Sequence, residues 1–123
     1  MPFAQMQEVR MVKRKLRMKQ LKFSDPLPDL ILNGQKDITW RINDDKDIIS
    51  GDQLSLCYRN GKEFSKAKVF WIRETIFANL TDKEKTGHEK FSSENEMYQT
   101  YSKYYNLKVG PKTAVKVIKY MLV

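Results

Sequence analysis

The stretch that most restricts the fold is "QLSLCYRNGKEFSKAKVFWIR", residues 53–73, in which two β-rich runs meet at Asn60-Gly61. Both turn residues tolerate positive φ, so the pair predicts a two-residue type I′ hairpin with Leu56 opposite Ser65 and Leu54 opposite Ala67. Parallel strands need long, usually helical, crossovers, so a hairpin this tight argues against a doubly wound sheet. Its second arm, running to about Arg73, is long enough to bend around a barrel.

The flanking segments supply the remaining elements. "KLRMKQLKF", residues 15–23, alternates basic and apolar residues with one slip between Met18 and Leu21 and reads as a bulged strand. "SDPLPDLILNG" carries helix punctuation: Ser24 or Asp25 as cap, Pro26 in the first turn, Leu27, Leu30 and Ile31 on one stripe, and Asn33-Gly34 at the exit. "GQKDITWRIND", residues 34–44, reads as a strand to about Ile42 with Ile38, Trp40 and Ile42 on one face and Asp37, Thr39 and Arg41 on the other. Thr81 with Glu84, closed by Gly87, forms a capping-box pattern for a short helix, and Ser93 with Glu96 opens a longer one. That longer helix sets Met97, Tyr101, Tyr104 and Tyr105 at helical spacing. "TAVKVIKYMLV" ends the chain as a strand. Strand, helix, strand, hairpin, two helices, strand is an α+β order, with about five to six strands in a small curled sheet or barrel and short flanking helices.

A chain of 123 residues is one domain with a real core. Residues 1–14 read as a basic N-terminal extension and 15–123 as the folded unit. The net charge of +8 is concentrated at the front: residues 1–22 hold seven Lys or Arg against Glu8 alone. Such an arm, including Arg17 and Lys19, attracts phosphate non-specifically or simply solubilises the chain. The lone Cys57 excludes an internal disulfide and no Cys/His set suggests a metal. With no apolar run of membrane length, the expectation is a cytoplasmic protein without metal or cofactor.

The segment Gly34–Arg41 fits Gly-x-Lys-x-x-Thr-x-Arg, placed after a short helix and followed by Gly51-Asp52 at the start of the next strand. Here the sequence resembles the ASCH family, whose domains have the PUA-like β-barrel fold; the resemblance runs over roughly residues 16–123. It implies a cleft beside the barrel for RNA or a nucleotide, using Lys36, Thr39, Arg41 and Trp40. One branch, the bacterial N4-acetylcytidine amidohydrolases, uses a Lys and a Thr of this segment and a Glu from the later helical region. Many ASCH members have Glu where this chain has Thr39, so Thr39 makes it look more like that branch. Carried across, Lys36 is the base and Thr39 the nucleophile. Gap-free alignment from "LTDKE" puts His88 at the third position, and Glu89 is one residue later. The chemistry is coherent, because a Thr hydroxyl attacks only when a base takes its proton, and a Lys serves as that base when desolvation or a cationic neighbour such as Arg41 lowers its pKa. The reading put first is an RNA- or nucleotide-binding module; the alternative is hydrolysis of an acylated cytidine.

Each residue also has a plainer role. Lys36 complements a helix C-terminus, Thr39 is a good strand former, and Arg41 pairs with Asp37 or Asp52. His88 and Glu89 stand beside a loop, where side chains are usually solvated. The helix tyrosines pack as core as readily as they stack on bases.

Overall fold

The computed structural model describes residues 18–123, so the extension 1–14 and Arg17 lie outside the described residues. Five strands form one sheet: β1 (Lys19–Phe23), β2 (Ile38–Arg41), β3 (Gln53–Tyr58), β4 (Glu63–Ile76) and β5 (Ala114–Leu122). Three α-helices flank it: α1 (Leu27–Leu32), α2 (Asp82–Thr86) and α3 (Glu94–Tyr105). The strand order is β1-β3-β4-β5-β2, with β1 parallel to β3 and every other pair antiparallel. The result is a curled half-barrel of α+β class, consistent with a PUA-like fold.

The hairpin has the predicted register, Leu54 opposite Ala67 and Leu56 opposite Ser65, but a different turn. Of the two central residues only Gly61 has positive φ, and its N–H donates to the Tyr58 carbonyl at 2.9 Å. This is the three-residue connection with glycine in the left-handed position, not type I′, and it costs the ladder one register step between Leu56 and Cys57. The bulge expected between Met18 and Leu21 does not occur in the paired part: β1 follows β3 without a break from Lys19 to Phe23.

β4 does bend as its length requires. Residues 63–68 pair with β3, and 67–76 pair with β5. β5 is buried on both faces and so divides two cores. Ile118 and Tyr120 join Leu21, Phe23, Ile31, Leu54 and Leu56 on one side. Val115 and Val117 join Ile38, Trp40, Ile42, Phe77 and Met97 on the other. At about 25 cal/mol per Å2 of apolar surface, each fully buried Leu, Ile or Val contributes roughly 1.5–3 kcal/mol to this packing.

The helix signals hold with two changes. α1 is capped by Pro26 without a side-chain hydrogen bond, rather than by Ser24 or Asp25. α2 has the full capping box, Thr81 with Glu84. α3 has half of one: Ser93 accepts from the Glu96 N–H, but the Glu96 carboxylate turns to Ser92 instead.

Candidate functional site

β1 and β2 are the two edges of the sheet, and the site lies at the seam between them. Arg41 on β2 reaches across: its Nη2 donates to the Lys22 carbonyl on β1 at 3.2 Å, and its guanidinium lies 4.8 Å from the centre of the Phe23 ring. Its Nε donates to Thr39 Oγ1 at 3.3 Å. Next to this bridge is a cavity of about 350 Å3 lined by Lys36, Thr39, Arg41, Glu89 and Tyr104 among others.

Local chemistry turns Lys36 inward. Gly34, with φ of 85°, ends α1, and the N–H groups of Gln35 and Lys36 both return to the Leu30 carbonyl. The Lys36 carbonyl accepts from Tyr120 OH, which leaves the side chain running into the interior at 2% exposure. There Nζ donates to the Ile38 carbonyl at 2.6 Å and to Glu89 Oε1 at 2.7 Å. Burial is the main influence on this amine and lowers its pKa from 10.5 to about 8, against an opposing pull from Glu89.

Glu89 comes from the segment after α2, and a glycine sets its place. The N–H groups of Asp37 and Ile38 donate to the Gly87 carbonyl at 2.9 and 3.0 Å, locking the start of β2 against the end of α2. A Cβ at Gly87 would collide with the Asp37 carboxylate and crowd the buried Ile38 side chain, so a larger residue here must displace both. His88 is then buried face to face with Trp40, ring centres 3.6 Å apart. Its Nδ1 faces the Glu89 carbonyl at 2.9 Å and Oε1 at 3.1 Å, so Nδ1 carries the hydrogen and Nε2 accepts from Tyr101 OH at 2.8 Å. Desolvation, followed by the Lys36 charge, holds His88 well below its ordinary value, and the ring is neutral.

Thus Lys36, Thr39, Arg41 and Glu89 meet in one cavity, with Trp40 forming part of its wall. Of the two residues weighed for the third position, Glu89 contacts Lys36 and lines the cavity, while His88 contacts Glu89 from behind. Thr39 is buried at 4% exposure, a strand residue turned toward the cleft. Among the described residues Arg41 has no acidic partner; Asp37 is engaged by Lys119 and Asp52 by Lys19. Lys19 therefore stands outside the cleft, tied to Asp52 at 2.9 Å and to the Asp47 carbonyl. His88 and Glu89 are not solvated loop residues. Sequence reasoning missed Lys22, Phe23 and Arg59 as cleft residues, since only the closing of β1 toward β2 brings them there. Of the helix tyrosines, Tyr101, Tyr104 and Tyr105 all border the cavity, and Tyr101 is also buried core with a bonded hydroxyl.

No family model matches the sequence, and no curated protein matches it. Solved structures do. An ASCH domain from Lactobacillus crispatus matches with a TM-score of 0.64 at 10% identity, over 92% of this chain and 84% of that one. The fold is that of ASCH domains. A second ASCH structure, from Zymomonas mobilis, matches at a TM-score of 0.60 and 12% identity, over 83% of this chain and 65% of that one. A protein of Enterococcus faecalis described by the family model DUF984 matches at 0.73 and 12% identity, over 98% of this chain and 91% of that one. In this ASCH-type half-barrel the cleft lies between the sheet edges, with Lys36 at the mouth of β2 and Glu89 facing it from beyond α2. Among the described residues no cluster of His, Cys, Asp and Glu is suited to a metal, and no helix is long and apolar enough to cross a membrane.

Proposed function

We propose that this chain is an ASCH-family nucleoside-recognising protein whose cleft hydrolyses an acyl amide on a cytosine, as in N4-acetylcytidine. The observation that supports it most is the buried Lys36–Glu89 contact of 2.7 Å in the same cavity as Thr39. A lysine serves as a base only when neutral; with a pKa of about 8 roughly one-tenth of Lys36 is neutral at pH 7. Neutral Lys36 takes the Thr39 hydroxyl proton as Oγ1 bonds to the acetyl carbon, and Arg41, beside Oγ1, stabilises the oxyanion. The C–N bond then breaks, and the exocyclic amine leaves with the proton returned by Lys36. Water attacks the acetyl-Thr39 ester as Lys36 takes one of its protons, the ester C–O bond breaks, Lys36 returns that proton to Thr39 Oγ1, and the acetic acid formed leaves and ionises to acetate. Glu89 accepts from Nζ and orients it. Purified protein incubated with N4-acetylcytidine should release cytidine, and Thr39→Ala or Lys36→Met should abolish release; no turnover, or turnover indifferent to both changes, refutes the proposal.

A second reading, RNA or nucleotide binding without turnover, is favoured by Lys22, Arg41 and Arg59 along the same cavity. RNA affinity that falls steeply with salt, in a protein inert toward acetylcytidine, would select it.

A further inference from the structure

Among the described residues one buried side-chain nitrogen lacks a hydrogen-bond partner, the indole Nε1 of Trp40. Trp40 is 3% exposed, with His88 stacked on its face and Phe77 edge-on at 6.1 Å. A buried N–H left unpaired is costly, and native proteins keep few of them. Trp40 borders two cavities. One is the cleft between the sheet edges; the other, of about 450 Å3, lies between α2 and the first turn of α3. The floor of this second cavity is apolar, the half-buried Phe91 and the buried Met97 lying with Trp40. Four exposed charges border it, Asp82 and Glu94 against Lys85 and Lys90. Of the hydroxyls on its wall, Thr86 donates to the Asp82 carbonyl and Ser93 accepts from the Glu96 N–H. Glu89, shared with the cleft, has Oε1 taken by Lys36 and His88.

We propose that this second cavity binds a compact, uncharged aromatic or alicyclic molecule whose carbonyl oxygen accepts from Trp40 Nε1. The site is separate from the cleft, and its ligand does not depend on the nucleoside reading. An indole N–H is a donor only, so the group it lacks is an acceptor. A water bound there finds no second partner on Phe91 or Met97, whereas buried waters typically hold about three hydrogen bonds. The acceptor therefore has to arrive on an apolar body. Charges of both signs, equal in number and open to solvent, favour neither an anion nor a cation. The floor makes the selection: aromatic rings and a flexible thioether pack a flat apolar body, and one donor fixes its orientation. A cytosine carries polar groups on several edges and would leave most of them unpaired on this floor, so the cavity discriminates against the nucleoside proposed for the cleft.

The test titrates the full chain with acetophenone, benzoate and cytidine, followed by amide, indole and methionine-methyl NMR. Acetophenone should shift the Trp40 indole N–H and the Met97 methyl saturably, with a dissociation constant on the order of 1 mM, as for other ligands this small. Trp71, which does not border this cavity, serves as the control and should stay still. Benzoate, a ring of the same size with a charge to desolvate, should bind at least about tenfold more weakly. Phe91→Ala, its fold checked by circular dichroism, should weaken acetophenone by about tenfold. Asp82→Asn should leave the affinity within about threefold, because an exposed charge contributes little to an uncharged ligand. The absence of a saturable shift, or shifts confined to Lys36, Thr39 and Arg59 in the cleft, would overturn the proposal. So would benzoate binding as tightly as acetophenone, an affinity unchanged by Phe91→Ala, or a tenfold loss in Asp82→Asn. If cytidine moves the Met97 methyl as acetophenone does, the cavity is part of the nucleoside site and the proposal also falls. Cytidine shifts that stay within the cleft support two separate sites, and acetophenone binding in a protein that ignores cytidine supports this site while the nucleoside reading falls.

Discussion

Replacing Lys36 by Met removes a charge that folding has buried, and the consequence is a change in how stability depends on pH. Folding lowers the Lys36 pKa from 10.5 to about 8, mainly by desolvation. At about 1.4 kcal/mol per pH unit this amounts to about 3 kcal/mol held against the protonated form. Between pH 8 and 10.5 the unfolded chain binds a proton at Lys36 that the folded protein has released, so stability rises with pH across that window. The penalty is fully present below pH 8. In Lys36→Met it is absent, and the cost of leaving Glu89 without its partner is constant over the same range. Burial pushes Tyr101 and Tyr120 upward, but both titrate in either protein and cancel in the difference. Urea unfolding followed by Trp40 and Trp71 fluorescence at pH 7, 8, 9 and 10.5 gives both curves. The unfolding free energy of the parent should gain on that of the variant by about 3 kcal/mol from lowest to highest pH. Parallel curves, or a gap moving in the other direction, would refute the buried-lysine reasoning.

Three further changes probe the supports of the site. Gly87→Ala places a Cβ 3.0 Å from the Ile38 side chain and against the Asp37 carboxylate; denaturant titration should show a loss of about 1–3 kcal/mol, and the shifted Glu89 should carry acetylcytidine turnover down with it. His88→Phe keeps the stacking on Trp40 but loses the bonds to Glu89 and Tyr101. Because folded His88 stays neutral well below 6.5, the parent should lose stability as pH falls through and below 6.5 while the variant loses less; equal acid limbs in thermal melts would contradict that. Thr81→Ala removes the α2 cap, at a residue that does not line the cleft, and should cost about 1 kcal/mol of stability with nucleoside affinity unchanged.

What could be read in the sequence was local. Thr81-x-x-Glu84 and Asn60-Gly61 act over three or four residues, and the alternation of Ile38, Trp40 and Ile42 marks a buried strand face. The Lys36 and Thr39 pattern reached the site because both lie on one short segment. What depends on distant closure was hidden. The arrangement that brings Glu89 against Lys36 and stacks His88 on Trp40 depends on Gly87 docking on Asp37 and Ile38, across about fifty residues of chain, with no trace in spacing. Lys22, Phe23 and Arg59 enter the cleft because β1 pairs with β3 in parallel, a non-consecutive arrangement that periodicity does not reveal. Arg41 looked ready for an ion pair with Asp37 or Asp52, but these acids are held by Lys119 and Lys19. The type I′ turn failed because Asn tolerates positive φ without requiring it, and only Gly61 adopts it.

The central claim is that a neutral Lys36, held by Glu89, activates Thr39 toward an acyl amide. The pH dependence of kcat/KM for N4-acetylcytidine hydrolysis tests it most directly, because that profile reports the free enzyme's base. The rate should rise tenfold per pH unit below pH 8 and level off above an apparent pKa of about 8, the value set by the burial of Lys36. A rate that is absent, independent of pH between 6 and 9, or retained with the same profile in Lys36→Met would contradict the claim.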